Sequence, residues 1–393
     1  MSPALLEFGT VASIPATKSE ARHRDLKLEA QKELELKAAQ DKAYYNARLD
    51  PKNYLDGPLS TNAATRLRQM LARPGIVTAP GICEGISARC ALEAGFQCLV
   101  SIRGLFQFVG FFIFQLASQR RRHDRLPPWP ARSRCRDHER LCWGKSSSGG
   151  HASNDIYTPV QAAEMVCSID PQTPVIADAD TGFGGPINIA RTVRKYAQVG
   201  CAGLHIEDQI QTKRCGHLLG KQVVSREEFC MRIRAAVQAR DAIPGNSDFV
   251  IIGRTDSAQV LGMEEALMRL KLASAAGADV LFIEGVKTKE LLEKTVKALA
   301  PKPVLVNVIS GGLTPSFTYR EAEALGAKII IFSLASCVPM VHAVRAAMKS
   351  LMETGTDFSA AQGMDPKAFF EVMGLKDAIA LDAEAGGNAF KTI

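Results

Sequence analysis

The stretch "PVIADADTGFGGPINIARTVRKYAQVGCAGLHIED", residues 174–208, holds two short apolar runs with a helix-length segment between them. "PVIADAD" and "GLHIED" are almost continuously apolar until each ends in acids. "INIARTVRKYAQVG" instead carries its apolar groups at helical spacing. A strand, a helix and a second strand of this kind make a βαβ unit, whose parallel strands are buried on both faces. Six further runs share the pattern: "GIVTAPGI" (75–82), "CLVS" (98–101), "DFVIIGRTD" (248–256), "VLFIEG" (280–285), "PVLVNV" (303–308) and "IIIFSL" (329–334). Helical stretches such as "REEFCMRIRAAVQAR", "MEEALMRLKLASAAGA" and "KELLEKTVKALA" lie between them. Eight strand–helix units predict an α/β fold of the closed (β/α)8 TIM type. A doubly wound open sheet is the alternative, but it wants a GxGxxG turn after its first strand, and "APGICEGIS" supplies none.

Composition sets the bounds around this barrel. The 393 residues are 46% hydrophobic and 23% charged, as in a globular protein with a sizeable core. Ten cysteines are scattered without a CxxC pair, which argues against a zinc site or a disulfide framework and for reduced thiols. The net charge of +7 does not describe a nucleic-acid surface. Nearly all of it comes from residues 120–145, where eight Arg and one Lys face Asp124, Asp137 and Glu139. The apolar run "LFQFVGFFIFQLA" (105–117) is too short to span a bilayer. With no signal-peptide pattern and a C-terminal "KTI" that is no peroxisomal address, the expected location is cytoplasmic, or else the mitochondrial matrix. The expected partners exclude nucleic acid and membrane.

Residues 19–48 alternate charges at helical spacing, which predicts an exposed helical arm within an N-terminal region 1–60. The barrel is expected over 61–350, interrupted by an anomalous segment 102–157. A C-terminal helical extension follows over 351–393.

Polar residues stand where a barrel would put its chemistry. Asp178 and Asp180 close the third run, Glu207 and Asp208 the fourth, Arg254 and Asp256 the fifth, Glu284 the sixth and Asn307 the seventh. A buried strand does not hold unpaired charge, and the C-terminal ends of parallel strands converge on one mouth. Asp178 and Asp180, spaced i and i+2, are expected to point the same way, with Glu207 one strand over. Such a set suits a hard divalent cation, Mg2+ or Mn2+, that keeps several waters. Helix capping at "TGFGG" is the plainer reading of Asp180. A metal there would take a keto or hydroxy acid through two oxygens, Arg254 would grip a substrate carboxylate, and Asn307 with the hydroxyls of "GGLTPSF" a second one. "KRCGH" (213–217) sets Cys215 between Lys213 and His217. It is either a charged surface loop or a thiol whose pKa is lowered by cations, fit to exchange a proton.

At these residues the chain resembles the isocitrate lyase and phosphoenolpyruvate mutase superfamily. "DADTGFGG", "HIEDQ", "KRCGH", "GRTD" and "FIEG" are similar to its successive strand-end motifs, in order, over roughly residues 61–101 and 158–390. The resemblance implies a (β/α)8 barrel whose C-terminal helices are swapped between subunits of a homo-oligomer, commonly a homotetramer. It also implies Mg2+- or Mn2+-dependent cleavage or formation of C–C or P–C bonds beside a carboxylate. By motif, Asp178 and Asp180 resemble metal residues and Glu207 a water-mediated one. Cys215 resembles the proton-transfer residue, with Lys213 and Arg254 as catalytic partners. Ser101, Gly216, His217, Glu284, Asn307, Pro315 and Ser316 resemble substrate-binding residues. Members that grip a tricarboxylate place arginines after the eighth strand and near the C-terminus; "SLASCVPMVHAV" and "GMDPKAFFEVMG" have none at the matching places. A small dicarboxylate fits better, and "LTPSF" is similar to the fungal oxaloacetate-hydrolysing branch, which makes oxalate and acetate. The alternatives are a lyase for a 2-methylisocitrate- or 2,3-dimethylmalate-like acid, a phosphonate mutase, or an inactive misprocessed barrel.

Between "CLVS" and "QAAEMV" the resemblance breaks, where the family has a Ser-Gly substrate loop and a further metal-side aspartate. Residues 120–142, "RRRHDRLPPWPARSRCRDHERLC", can be encoded so that reading one nucleotide later gives GAATTASRLGQPDLAAATMNDFV. That string resembles the missing family segment throughout, including its "GQPD" aspartate. The expectation is a frame-shifted exon between unremoved introns at about 102–119 and 143–157. Tryptic mapping of the protein from its native cells should therefore return peptides containing "LGQPDLA"; recovery of "LPPWPAR" would defeat the frame-shift reading.

Overall fold

The structure, a computed structural model, describes residues 50–102, 157–244 and 247–388. Eight strands close a parallel barrel in chain order: β1 Val77–Ile82, β2 Leu99–Ser101, β3 Val175–Asp178, β4 Gly203–Glu207, β5 Val250–Thr255, β6 Val280–Ile283, β7 Val304–Asn307 and β8 Ile329–Phe332. The seam between β1 and β8 runs from Val77 opposite Ile329 to Pro80 opposite Phe332. The sequence-based barrel stands, with strand ends within a few residues of the expected runs. The chain divides into compact units at Met1–Asp50 and Pro51–Ile393. The N-terminal arm and almost all of segment 102–157 lie outside the described residues.

Two apolar layers explain why the strands read as continuous runs. Val77, Ala79, Val100, Ile176, Val250, Ile252, Val280, Phe282, Leu305, Ile329 and Ile331 fill the barrel interior. The alternate residues, Leu99, Val175, Leu204, Ile206, Ile251, Leu281, Val304 and Ile330, pack outward on the helices. Period-2 alternation thus buries both faces. The helices follow from the same logic. Pro186–Gln198 has a proline in its first turn and buries Ile189, Thr192, Val193 and Tyr196, spaced as one helical face. Arg226–Asp241 is capped by Ser225, whose hydroxyl accepts from the Glu228 amide, with Glu227 and Glu228 in the first turn. Gly81 is required by closure itself: a Cβ there would lie 2.0 Å from the Ser333 carbonyl oxygen, a backbone atom that cannot yield.

After β8 the chain continues through α-helices at Cys337–Thr354, Phe358–Ala361, Pro366–Val372 and Leu375–Glu384. The last three contain no buried residue. Among the described residues no helix is long and apolar enough to cross a membrane.

The N-terminal end of the barrel is tied by buried charge. The Asp279 carboxylate accepts from Arg240 Nη1 at 2.7 Å, from Arg68 Nη1 at 3.2 Å and from the Ile251 amide at 2.8 Å. Burial alone would raise its pKa, but Arg240, Arg68 and Lys302 outweigh it and hold the group at about 2. A depressed carboxylate stabilises the fold above its unfolded pKa, near 4, and loses that contribution as pH falls toward 2. Asp279→Asn should therefore lower unfolding free energy near neutral pH by on the order of 2 kcal/mol and flatten the loss between pH 4 and 2. Urea titrations at several pH values would measure this, and an unchanged acid limb would refute it.

Candidate active site

Each strand delivers its polar side chain to the mouth. Asp178 and Glu207 are the last residues of β3 and β4, Arg254 is next to last in β5, Glu284 follows β6, and Asn307 ends β7. One cavity is lined by Asp178, His205, Cys215, Gly216, His217, Arg254, Glu284, Asn307 and Ser333, with Val100, Ile102, Ile309 and Ile331 as its apolar wall. Strand alternation separates the acidic pair of "HIEDQ". Glu207 turns inward, whereas Asp208 turns outward and accepts from Thr255 Oγ1 (2.6 Å), the Asp256 amide (2.8 Å) and Arg269 Nη1 (3.1 Å).

Asp180 departs from its expected position. β3 ends at Asp178, and Asp180 has φ +49°, so the two do not project together from a strand. The Asp180 amide instead donates to Asp178 Oδ1 at 3.0 Å, which turns the chain back on itself. Lys213 meets the turned carboxylate directly and sits 3.5 Å from Glu207 Oε1.

The loop after β4 is pinned at both ends. The Gln209 amide nitrogen donates to the Arg214 carbonyl (2.9 Å) and its oxygen accepts from the Arg214 amide (3.0 Å). Farther on, the buried Lys221 ammonium donates to the Gly216 carbonyl (2.6 Å) and to Asp256 Oδ1 (2.9 Å). His217 Nδ1 accepts from the Leu313 amide at 2.9 Å, which leaves its proton on Nε2, 3.1 Å from Glu284 Oε1. At Gly216 a Cβ would lie 2.5 Å from Arg254 Nη2 and from Glu284 Cγ, so only glycine passes there.

Arg254 is the hub of the mouth. Its Nε donates to Asp256 Oδ2 at 2.9 Å and its Nη2 lies 3.3 Å from Asp256 Oδ1. Nε is also 3.2 Å from Glu207 Oε2, Nη2 is 3.0 Å from Glu284 Oε2, and the guanidinium stacks 4.9 Å above the Phe282 ring. The bidentate fork that the sequence assigned to a substrate carboxylate is held by Asp256. The expectation for Cys215 is also corrected. Burial, its largest influence, raises the thiol pKa above the usual value despite a backbone hydrogen bond at His217 and the nearby Arg254 and Lys213 charges. Lys213 is engaged by carboxylates instead, so Cys215 stands as a protonated thiol, equipped to donate.

Ser101 ends β2 and is buried, although it does not line the cavity. Pro315 is half-buried and Ser316 exposed, and neither lines the cavity. Three neighbours escaped the sequence reading, His205, Ser333 and Lys221, and Asp256 was read as a strand-end acid without its clamp on Arg254 and Lys221. His205 lies two residues before Glu207 on the same strand face, a signal that was available. Burial lowers its pKa to about 4, so its Nδ1 meets Asp178 Oδ1 at 3.5 Å as a neutral ring. Ser333 Oγ donates to Asn307 Oδ1 at 2.7 Å, which turns the Asn307 amide nitrogen toward Glu284, 3.2 Å from Oε2.

The family model described as phosphoenolpyruvate phosphomutase matches residues 142–352. The 2,3-dimethylmalate lyase of Eubacterium barkeri is 32% identical over 280 residues, 70% of this chain and 81% of that relative. The chain belongs to the phosphoenolpyruvate mutase/isocitrate lyase superfamily. The 2-methylisocitrate lyase of Aeropyrum pernix is 36% identical over 219 residues, 56% of this chain and 69% of that enzyme. Among solved structures, oxaloacetate acetylhydrolase with 3,3-difluorooxalacetate is similar at TM-score 0.71 and 39% identity, covering 85% of this chain and 100% of that one. A 2,3-dimethylmalate lyase follows at TM-score 0.69 and 40% identity, covering 85% and 99%. The chain is thus an enzyme-family barrel of the C–C lyase and hydrolase kind.

The residues present fit a divalent cation. No three acidic, cysteine or histidine side chains among the described residues close round one point. However, Mg2+ or Mn2+ needs only one or two carboxylates besides waters. Asp180 Oδ1 and both Glu207 oxygens are buried, and the cations beside them, Lys213 and Arg254, are shared with other carboxylates and leave them short of well-directed hydrogen bonds. Burial raises the pKa of Asp180 and lifts Glu207 to about 8, whereas Asp178 is lowered because Lys213, His205 and Arg254 outweigh its burial. Were all five carboxylates (Asp178, Asp180, Glu207, Asp256, Glu284) ionised, they would exceed the three cations (Lys213, Lys221, Arg254) by two charges, an excess that a divalent cation would balance.

Proposed function

We propose that this barrel is that of an enzyme hydrolysing oxaloacetate to oxalate and acetate, active in the form that carries an intact segment between β2 and β3. The observation that carries the reading is the lining of the cavity. Arg254 is its one guanidinium among the described residues and is already shared by three carboxylates, and Ser333 and Asn307 stand after β8 and β7 in place of a further cation. A dicarboxylate suits such a cavity better than a tricarboxylate, whose third group would be left without a partner. The similarity to oxaloacetate acetylhydrolase points the same way.

Asp178, Asp180 and Glu207 would hold Mg2+ or Mn2+, which when bound polarises the keto-acid oxygens and favours charge developing there. Arg254, fixed by Glu207, Asp256 and Glu284, lines that end of the cavity with its guanidinium. The hydrated ketone of oxaloacetate loses a proton, the bond between C2 and C3 breaks, and C1 and C2 depart as oxalate. C3 and C4 leave as the enolate of acetate, which takes the Cys215 proton at carbon. The raised pKa of Cys215 keeps that proton in place until the enolate forms. Asn307, held by Ser333, and His217, held by Leu313, orient the remaining carboxylate.

The family's substrate loop and second metal-side aspartate would fall in segment 102–157. The active form is accordingly the one carrying the shifted string. That form, given oxaloacetate and Mg2+ or Mn2+, should release oxalate and acetate in equal amounts, and Cys215→Ser should lower kcat by about 10²–10⁴-fold. Pyruvate from 2,3-dimethylmalate with no oxalate from oxaloacetate would instead assign it to the lyases.

We also propose that the chain works as a homotetramer. Val344, Met348, Met352, Phe358, Phe370 and Leu381 expose apolar side chains on the C-terminal helices, a surface that another copy would cover. Light scattering of the eluting protein should give four times the chain mass, and a monomeric mass at micromolar concentration would exclude the assembly.

A further inference from the structure

Barrel closure brings together two cysteines from opposite ends of the barrel sequence. Cys83 follows the last residue of β1 and precedes Glu84, the cap of helix Gly85–Glu93. Cys337 opens helix Cys337–Thr354, just after β8. The Ser336 hydroxyl donates to the Gly81 carbonyl at 2.6 Å, and its oxygen lies 4.0 Å from Cys83 Sγ and 3.6 Å from Cys337 Sγ. On the other side, Ser87 Oγ lies 3.8 Å from Cys83 Sγ. Cys83 is half-buried and reachable from solvent, whereas Cys337 is 5% exposed.

The two thiols differ in character. The Cys337 thiol beside it outweighs burial and the Glu84 charge and lowers the Cys83 pKa to about 6. Cys337 is raised correspondingly, first because its proton is held between the sulfurs and then by burial. Both sulfurs lie against the Ser336 hydroxyl, and the more exposed Cys83 is placed to attack while the buried Cys337 is placed to resolve. A second pair makes the contrast. Cys167 and Cys201 lie 3.7 Å apart but are buried in the core, and Cys201 is raised well above the usual value.

We propose that Cys83 and Cys337 form a peroxide-oxidation site at the β1–β8 seam, with Cys83 attacking a hydroperoxide and Cys337 closing an intramolecular disulfide. The Cys83 thiolate takes one peroxide oxygen as the O–O bond breaks, and the other oxygen leaves as water after gaining a proton. Cys337 then attacks the sulfenic sulfur, its own proton departs with the hydroxyl as a second water, and the S–S bond forms. Two thiols are oxidised by two electrons and one peroxide is reduced to two waters. The bridge joins the turn before helix Gly85–Glu93 to the first turn of Cys337–Thr354. It does not depend on the reaction proposed for the barrel mouth.

The test treats the reduced full chain with equimolar hydrogen peroxide, blocks free thiols with N-ethylmaleimide and maps the non-reducing digest by mass spectrometry. The expected product is a Cys83–Cys337 linked peptide that disappears with dithiothreitol. Cys337→Ser should leave Cys83 as a sulfenic acid trapped by dimedone, and Cys83→Ser should leave Cys337 free. A Cys167–Cys201 link as the main product would overturn the site, because proximity rather than thiolate character would then govern. So would Cys83 left unoxidised. Alkylation of Cys83 in the unmodified chain supplies a readout independent of any variant: its rate should reach half-maximum near pH 6. An ordinary thiol midpoint, above pH 8, would refute the proposal.

Discussion

Everything at the mouth of this barrel depends on the buried guanidinium of Arg254. It lies within 3.3 Å of carboxylate oxygens from Glu207, Asp256 and Glu284, supplied by three successive strand ends. A charge so placed is tolerable only when its partners are fixed, since removing one would leave an uncompensated ion in a medium of low polarity. That requirement sets the neighbours in turn. Asp256 takes the fork and is itself held by Lys221, which also clamps the Gly216 carbonyl. Glu284 faces His217, and His217 anchors Leu313. The loop carrying Cys215 is therefore located by electrostatics spreading outward from one strand residue.

The same arrangement explains why a protonated thiol serves here better than a thiolate. The cations that sequence proximity offered to Cys215 are engaged elsewhere: Lys213 by Asp180 and Glu207, Arg254 by its three acids. With desolvation as the largest influence, the thiol retains its proton. A donor that waits for a carbanion needs a high pKa, whereas a nucleophile needs a low one. Cys83 shows the opposite outcome in the same barrel. It is less enclosed, and the neighbouring Cys337 thiol outweighs both its burial and its nearest acid.

How much of this was legible follows from what each residue obeys. The strands and their polar ends were readable because buried parallel strands require apolar runs and the barrel mouth is the one place a strand-end charge is tolerated. Arg254, Glu284, Asn307, Cys215, Gly216 and His217 accordingly meet in one cavity. Asp180 was misplaced because the strand stops two residues earlier and the chain enters a left-handed turn, which spacing does not reveal. Lys221 carries no sequence signal, since a lysine reads as surface until its partners are known. Ser316 was assigned from the hydroxyls of "GGLTPSF" and by resemblance, and it stands exposed outside the cavity.

Folding and catalysis are separable along this chain, and the separation falls at the end of β2. All eight strands and every charged residue of the mouth lie within the described residues, before 103 or after 156. β2 keeps its register on both sides, with Gly81 opposite Val100 and Leu99 opposite Val175, so the barrel closes without any strand from the segment between. What a frame-shifted segment would remove is a loop over the mouth and an additional carboxylate, which act on the substrate rather than on the core. A misread stretch at that point would therefore leave all eight strands and their register in place. The sequence signature of the fold can persist on either side of a segment that no longer resembles the family because the two obey different constraints.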